Sequence, residues 1–448
     1  MKRILIIALV FAIVIPSYAQ KNLTLQEAIS IALQRNSAII KLKNNAETSE
    51  TQLKSAYGQL IPTLGVGGQL SWSRVDDKGG QQVFYGGIPI STQASVQENR
   101  SYNLYISGGV TLFDGLSNIA ALNAAKDNLQ ATEYNIAKQK QNIVFQTTDM
   151  FYLVLNADEL QKVRQENVDY YKKFLETVQE RNKLGAVAIA DVYAAQVQLG
   201  NAELQLIQSQ NDYETAKNNL LNFLALNVMD DYTFADPFGA NKSVDTDRYM
   251  KDFEDVQTLV NAAMDTRFDY KGQEKLVSAA ENGVAYARGG IYPSLSANYS
   301  YGTSAAATSD LFNRKVLSFG LSLNIPIFSN FNVVNQIQSA TATYLNAQED
   351  LSALGRQVKI DVKQGYLNLN AAKKSLDVAV NTVQQAEETR KINEERYKLG
   401  SATILDVLQA GRDYTDALRN KINAIYDFYR KYDNLQNALG RLDFKKYE

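Results

Sequence analysis

Two long stretches without a proline constrain this chain more than anything else in it. They run from about Leu116 to Lys183 and from about Phe331 to Lys398. At 1.5 Å per residue each predicts a helix on the order of 100 Å long. No globular core encloses such a rod, so the helices must pack as coiled coils or as staves of a helical barrel. Their apolar positions, such as Ile119, Leu122, Leu129, Ile136 and Ile143, are sparse and interleaved with Asn, Gln and Ala. That narrow stripe suits a helix with one face on neighbours and another on water. Both runs carry an internal landmark, FYLVLNA from Phe151 and GYLNLNA from Gly365, and both end on one phrase. The phrase is RNKLGAVAIADVYAA from Arg181 and RYKLGSATILDVLQA from Arg396, 215 residues further on. A repeat at that spacing indicates a duplicated half rather than a solenoid.

The rest of each half follows one plan. LTLQEAISIALQRN opens the first, with Ala28, Ile31, Ala32 and Arg35 at helical spacing, Thr24 as N-cap and Glu27 three residues on. VQTLVNAAMDTRF, from Val256, opens the second. A further helical run in each half stops at LIPTL or IYPSL, where Pro62 and Pro293 end a helix and can open a strand. The period then changes from 3.6 to 2. Strands are expected at about 63–73 and 101–113, and at about 294–303 and 316–327. On them Leu64, Val66, Leu70, Trp72, Leu104, Ile106, Val110 and Leu112 alternate with Gly, Ser, Asn and Thr, as do Leu317, Phe319, Leu321, Leu323, Ile325 and Ile327. Strands of about ten residues, apolar on one side and small-polar on the other, are the pattern of an outer-membrane barrel. Four cannot close one, and an open edge in lipid leaves backbone groups unpaired at several kcal/mol each. The chain must therefore associate, and three copies supply about twelve strands. The segments Ser73 to Arg100 and Thr303 to Lys315 read as polar, Gly-rich outer loops.

Composition narrows the chemistry. The 448 residues contain no cysteine and no histidine, and the net charge is −2. Thiol and imidazole catalysis, disulfides and the commonest zinc ligands are excluded, and nothing calls for nucleic acid as a partner. No catalytic, metal or cofactor site is expected. Residues 1–19 read as a signal peptide: Lys2 and Arg3, an apolar run from Ile4 to Ile15, and cleavage after Ala19. The domain plan is a first repeat over 20–226, a connector over 227–255, and a second repeat over 256–448. The repeated phrases lie at tips near 184–188 and 399–403. Each is followed by a shorter helix, from Ala188 to about Leu226 and from Thr403 to about Leu439.

In their order and duplication, LTLQEAISIALQRN, LIPTL and IYPSL, VTLFDG and IPIFSN, and KLGAVAIADV and KLGSATILDV resemble the TolC-type outer-membrane efflux channels over essentially the whole mature chain. The first strand exit departs from the family's Pro-Phe pattern, with Thr111 where the second half has Pro326. The resemblance implies a homotrimer with a twelve-stranded β-barrel in outer-membrane lipid, continued by a twelve-helix periplasmic barrel. The connector would lie in its equatorial region. It implies as partners a periplasmic adaptor and an inner-membrane pump of the RND, ABC or MFS type, with the channel doing no chemistry. Drug or metal efflux and protein secretion by a type I system stay open, as does a poreless coiled-coil scaffold or adhesin.

Asp191 and Asp406 fall in the first turn of the helix after each tip, where a carboxylate favours the helix dipole by about 0.3–1 kcal/mol. Thr403 and Asp406 also have capping-box spacing. A carboxylate repeated around a three-fold axis would also make a cation-attracting constriction. The resemblance assigns that ring to Asp406, with Tyr397 and Asp191 in the hydrogen bonds that hold the helix pairs closed. Gln409 stands where a second acid is usual in the family, and Ala402 where a base is usual. Leu184, Gly185, Ala186 and Val187, with Leu399, Gly400, Ser401 and Ala402, are expected exposed at the tips as the adaptor contact.

Overall fold

The computed structural model describes residues 21–80, 82–91, 93–238, 244–253 and 255–447. The leader expected at 1–19 lies outside them. The first half contains β1 (Lys21–Leu23), α1 (Leu25–Arg35), α2 (Ser37–Gly58), β2 (Gly65–Asp77), β3 (Gln82–Tyr85), β4 (Ile88–Ser91), β5 (Ser95–Phe113), α3 (Ser117–Lys183) and α4 (Ile189–Phe223). Then come β6 (Tyr232–Phe234), α5 (Thr246–Met250), α6 (Val256–Thr266), α7 (Phe268–Gly289), β7 (Ser294–Ala305), β8 (Lys315–Asn324), α8 (Asn332–Lys398) and α9 (Ile404–Ala438). α1 to α4 have 11, 22, 67 and 35 residues, and α6 to α9 repeat those lengths. α6 starts 231 residues after α1, but α8 only 215 after α3. The sixteen-residue difference falls between α2 and α3, in the strand region.

The chain forms two compact units that cut across the halves. One is built from Lys43–Asn135 and Asp269–Leu354, and the other from the remainder.

The first of these holds a four-stranded antiparallel sheet in the order β2-β5-β7-β8. Its register aligns Val66 with Ile106, Ile106 with Tyr301 and Tyr301 with Leu317, so directly opposed apolar residues share a face. Ser107, Ser300 and Ser318 line up in the same way on the other face. The strands differ from the expected spans. β2 and β5 extend to Asp77 and back to Ser95, and β7 runs to Ala305. Inside the supposed outer loop, β3 and β4 form a hairpin about Gly86 and Gly87. β8 stops at Asn324 rather than 327, because Pro326 has no N–H to continue the ladder. A bulge between Thr111 and Phe113 sets Phe113, and not Leu112, opposite Leu295. Both turns into the long helices hold two residues in the left-handed region, Gly115 with Leu116 and Asn330 with Phe331.

The other unit contains the apolar core. α1 and α6 bury Ala28, Ile29, Ala32 and Leu33, and Leu259, Val260 and Ala263, against Phe151 and Val154 of α3, Val362 and Leu369 of α8, and Phe428 and Leu435 of α9. Arg35, expected on that stripe, is exposed, and Leu33 takes the place. Both short helices are capped. Thr24 and Glu27 make the expected capping box, and Asp255 accepts from the N–H groups of Gln257 and Thr258. At 365 the second half has glycine, where an added Cβ would lie 3.2 Å from Leu435, so α8 and α9 approach closely there. The connector docks by its aromatics: Phe234 meets Phe151 edge-on, Phe238 stacks on Tyr429 at 3.9 Å, and Tyr249 contacts Phe428. β6 pairs in parallel with β1, tying the connector to the amino-terminal end of the described chain.

An acidic pair interrupts this core. Arg430 holds Asp149 at 2.5 and 3.2 Å. Asp433 is partly exposed as a residue, but its Oδ2 is sealed from solvent. Burial, and then the charge of Asp149, push the Asp433 carboxyl up to about 7, against a hydrogen bond from Tyr152. A carboxyl raised on folding contributes stability that is complete below its unfolded value of 3.8 and is lost as pH rises through about 7. The melting temperature should therefore fall between about pH 4 and 7, and Asp433→Asn should flatten that part of the profile. An unchanged slope in the variant would remove Asp433 as the cause.

Candidate functional site

The repeated phrases form two helix-turn-helix tips in the core-bearing unit. At the end of α3 the Ala186 N–H bonds to the Arg181 carbonyl at 2.9 Å, and the Gly185 N–H to that of Asn182 at 2.9 Å. At the end of α8 Ser401 bonds to Arg396 at 2.8 Å, and Gly400 to Tyr397 at 3.1 Å. This is the Schellman arrangement, which requires a left-handed residue. Gly185 at φ +73° and Gly400 at φ +74° supply it, and neither has a neighbouring atom within 4 Å of an added Cβ.

The two copies then diverge. Thr403 caps α9: its hydroxyl accepts from the Asp406 N–H at 3.3 Å, and its own N–H donates to Asp406 Oδ2 at 2.8 Å. The bond from the Thr403 N–H first, and then one from the Thr403 hydroxyl to the same Oδ2 at 2.8 Å, hold the exposed Asp406 carboxyl below the usual carboxylate range. The corresponding N-cap of α4 is Ala188, which has no side-chain cap, and Asp191 bonds to it only through the backbone at 3.0 Å. Asn182 compensates by donating to the Val187 carbonyl at 2.8 Å. Gln409 is tied along its own helix, donating to Asp413 and accepting from Arg412, both at 2.8 Å.

Of the expected contact residues, Leu184 and Leu399 stand 83% and 82% exposed, and Gly185, Ala186, Gly400 and Ser401 are open beside them. Val187 and Ala402 differ from the expectation. They turn inward against a small core of Tyr171, Val178, Val192, Ile404 and Val407, because the chain must re-enter its helix there.

Tyr397 also differs in its bonding. Its hydroxyl is buried and has no hydrogen-bond partner within the chain, so it makes no bond to Asp191. The ring instead faces the Arg181 guanidinium at 4.9 Å and Phe174 at 6.0 Å. Arg181 Nη1 also donates to the Tyr397 carbonyl at 3.2 Å. Burial, then the charge of Asp191, raise the tyrosine's pKa, and Arg181 opposes them. The sequence reading passed over Arg181. The signal was present, since an arginine opens both copies of the phrase.

Among the described residues no group of acidic side chains is spaced to hold a metal ion. None of their helices is long and apolar enough to cross a membrane.

The sequence model of the family described as outer membrane efflux protein matches residues 28–226 and 259–441. The chain is 24% identical over 447 residues to the outer membrane protein TolC of Escherichia coli, covering 95% of this chain and 82% of that one. It is 21% identical over 332 residues to the pyoverdine export outer membrane protein OpmQ of Pseudomonas aeruginosa, covering 73% and 67%. Its fold is similar to the crystal structure of the outer membrane protein VceC of Vibrio cholerae, with a TM-score of 0.78 and 20% identity over 93% and 96% of the two chains.

Proposed function

Because the chain belongs to the outer-membrane efflux protein family and is an efflux channel of the bacterial outer membrane, we propose that it works as a homotrimeric exit duct for a periplasmic adaptor and an inner-membrane pump. The observation that carries this reading is the sheet with one apolar face and two unpaired edges, β2 and β8. In lipid each edge would leave a row of backbone donors and acceptors unpaired. Joining β8 of one copy to β2 of the next removes both edges, and three copies of four strands close a barrel wide enough for a water-filled lumen.

A second surface supports association. On α4, Tyr193, Val197, Leu204 and Ile207 are each at least 60% exposed. With Gly200 they recur at alternating intervals of four and three, the spacing of a coiled-coil seam. The opposite side of the helix buries Val192, Ala195 and Ala202 within the chain. The seam is thus a second apolar stripe available to another copy.

The duct supplies no chemical step, and the pump provides the energy. The tips, with Asp406, Gln409, Asp191 and Tyr397 behind them, form the periplasmic mouth. Asp406 repeated three times would attract cations there, and Leu184 to Val187 with Leu399 to Ala402 would meet the adaptor. The cargo follows from the pump: drugs, metal ions, small exported molecules such as the pyoverdine in one relative's name, or proteins of a type I secretion system.

Purified mature protein reconstituted in planar bilayers should conduct ions, and dissociating the trimers should abolish the current. Stable folded trimers that never conduct would favour a poreless scaffold instead.

A further inference from the structure

The two long hairpins of the sheet share one register. Moving the pair Gly65 and Ser107 forward by the offsets of the repeats, 231 residues on the first strand and 215 on the second, gives Ser296 opposite Ser322. Ser71 and Ser101 give Gly302 opposite Val316 in the same way. Both are observed pairs, so the duplication holds in the sheet to the residue. Inside the chain one junction, β5 with β7, joins the first hairpin to the second. Its counterpart is β8 against β2 of a further copy.

The same offsets carry the register of the inner junction to that seam. Leu104 opposite Thr303 becomes Phe319 opposite Trp72 of the partner subunit, and Ile106 opposite Tyr301 becomes Leu321 opposite the partner's Leu70. All ten residues of β8 then lie opposite residues of β2, with Ser318 beside the partner's Ser73 on the small-polar face. At the outer end Lys315 falls opposite the partner's Asp76, and Arg314 opposite the partner's Asp77. Charge played no part in the alignment, yet both pairs are of opposite sign.

We propose that the outer end of this seam is a charge-recognition site for a second copy of the chain: Arg314 and Lys315 of one subunit engage Asp77 and Asp76 of the next, and so select both partner and register. The proposal rests on the reading that copies join β8 to β2, and adds the residues by which they recognise one another.

A bare sheet edge offers its backbone groups to any strand, so side chains must supply the selection. A slip of one residue turns the lipid-facing side chains to the other face, so the nearest slip that keeps the faces is two. In either direction like charges oppose it, because Lys315 would meet the partner's Arg74 or the partner's Lys78. Arg74 already lies 3.7 Å from Glu98 of its own chain, whereas Asp76 has Val96 opposite it. Asp76, Asp77, Arg314 and Lys315 are all exposed in the single chain. β2 also pairs with β5 as far as Asp77, well past Tyr102, where β7 ends at Ala305. The two acids thus stand on a ribbon that projects beyond the inner junction.

The chain has no cysteine, so introduced pairs in the full-length protein can read the register. Ser318→Cys with Ser73→Cys should oxidise to disulfide-linked dimers and trimers on denaturing gels. Ser318→Cys with Ser71→Cys, or with Val75→Cys, should give several-fold less. Charge reversal reads the recognition. Arg314→Glu with Lys315→Glu should cut the yield of trimers roughly ten-fold, and adding Asp76→Lys with Asp77→Lys should restore it. Co-expressed with differently tagged unsubstituted chain, the four-fold variant should segregate, with mixed trimers several-fold below the roughly three-quarters that random mixing gives.

Cross-links that favour Ser71 or Val75, or free mixing of the two chains, overturn the site while the trimer stands. Adducts with another protein in place of this chain give the edge to a different partner and overturn it too. If the unsubstituted protein forms trimers that do not conduct, only the duct reading falls, and the cross-links still decide the register.

Discussion

Leu321→Arg should lose about 2–4 kcal/mol of stability per chain in lipid, whereas Ser322→Arg, one residue further along β8, should fold and assemble. The difference follows from the pleat. Leu321 is opposite Ala297, which is opposite Val110, and all three lie on the face that carries Val66, Ile106 and Phe319. Ser322 is opposite Ser296 on the other face, with Asn298, Ser300 and Gly320. An arginine on the first face meets hydrocarbon, while one on the second meets the water of a lumen. In a closed three-copy barrel the penalty is taken three times, so the first variant should also fail to accumulate as trimers. Urea unfolding in vesicles measures it, and similar losses in the two variants would sink the assignment of faces.

Gly400→Trp should abolish export while trimers still reach the outer membrane, and Gly400→Ala should retain most export. The alanine separates two effects that the tryptophan combines. Any Cβ at φ +74° carries the strain of the left-handed region, roughly 1–2 kcal/mol. The Gly400 Cα has open space around it, so strain is the whole effect of alanine. Tryptophan adds a bulky ring between Leu399 and Ser401, on the surface proposed to receive the adaptor. Export assays with quantified trimers give the answer. Full export by Gly400→Trp removes the docking role from that tip, and equal loss in both variants assigns the defect to the turn.

The helices were legible because their ends carry local chemistry. Thr24 with Glu27, Thr403 with Asp406, and the two Leu-Gly stops mark boundaries by bonds made within six residues. The strands were legible from their alternation, but their ends were not. Gln82 to Ser91 joins FYGGIP to a Gly-rich neighbourhood that reads as loop, yet Gly86 and Gly87 are the turn residues of a hairpin. β1 and β6 have three residues each, too few to show any period, and they find each other across more than 200 positions.

At the tips the turn geometry was visible in the sequence and the contacts across the tips were not. Arg181 and Arg396 are indistinguishable in their own phrases. Only the packing of α3 against α8 gives one a neighbour's ring and leaves the other to its own turn. The Tyr397 hydroxyl, expected in the hydrogen bonds that hold the helix pairs closed, has no partner within the chain, and the ring's surroundings are set by residues two hundred positions away.

The matched helix lengths also govern how the chain can change. Gaining or losing one residue in α3 would turn every later side chain by about 100°, swinging Tyr171 and Val178 off their partners and misdirecting the whole tip. Four pairs of helices agree to the residue, while the region between α2 and α3 exceeds its counterpart by sixteen. The long helices therefore behave like gear teeth, which tolerate exchange of material but not of number. The outer hairpin is the slack in the mechanism, where length can vary without putting the rest out of phase.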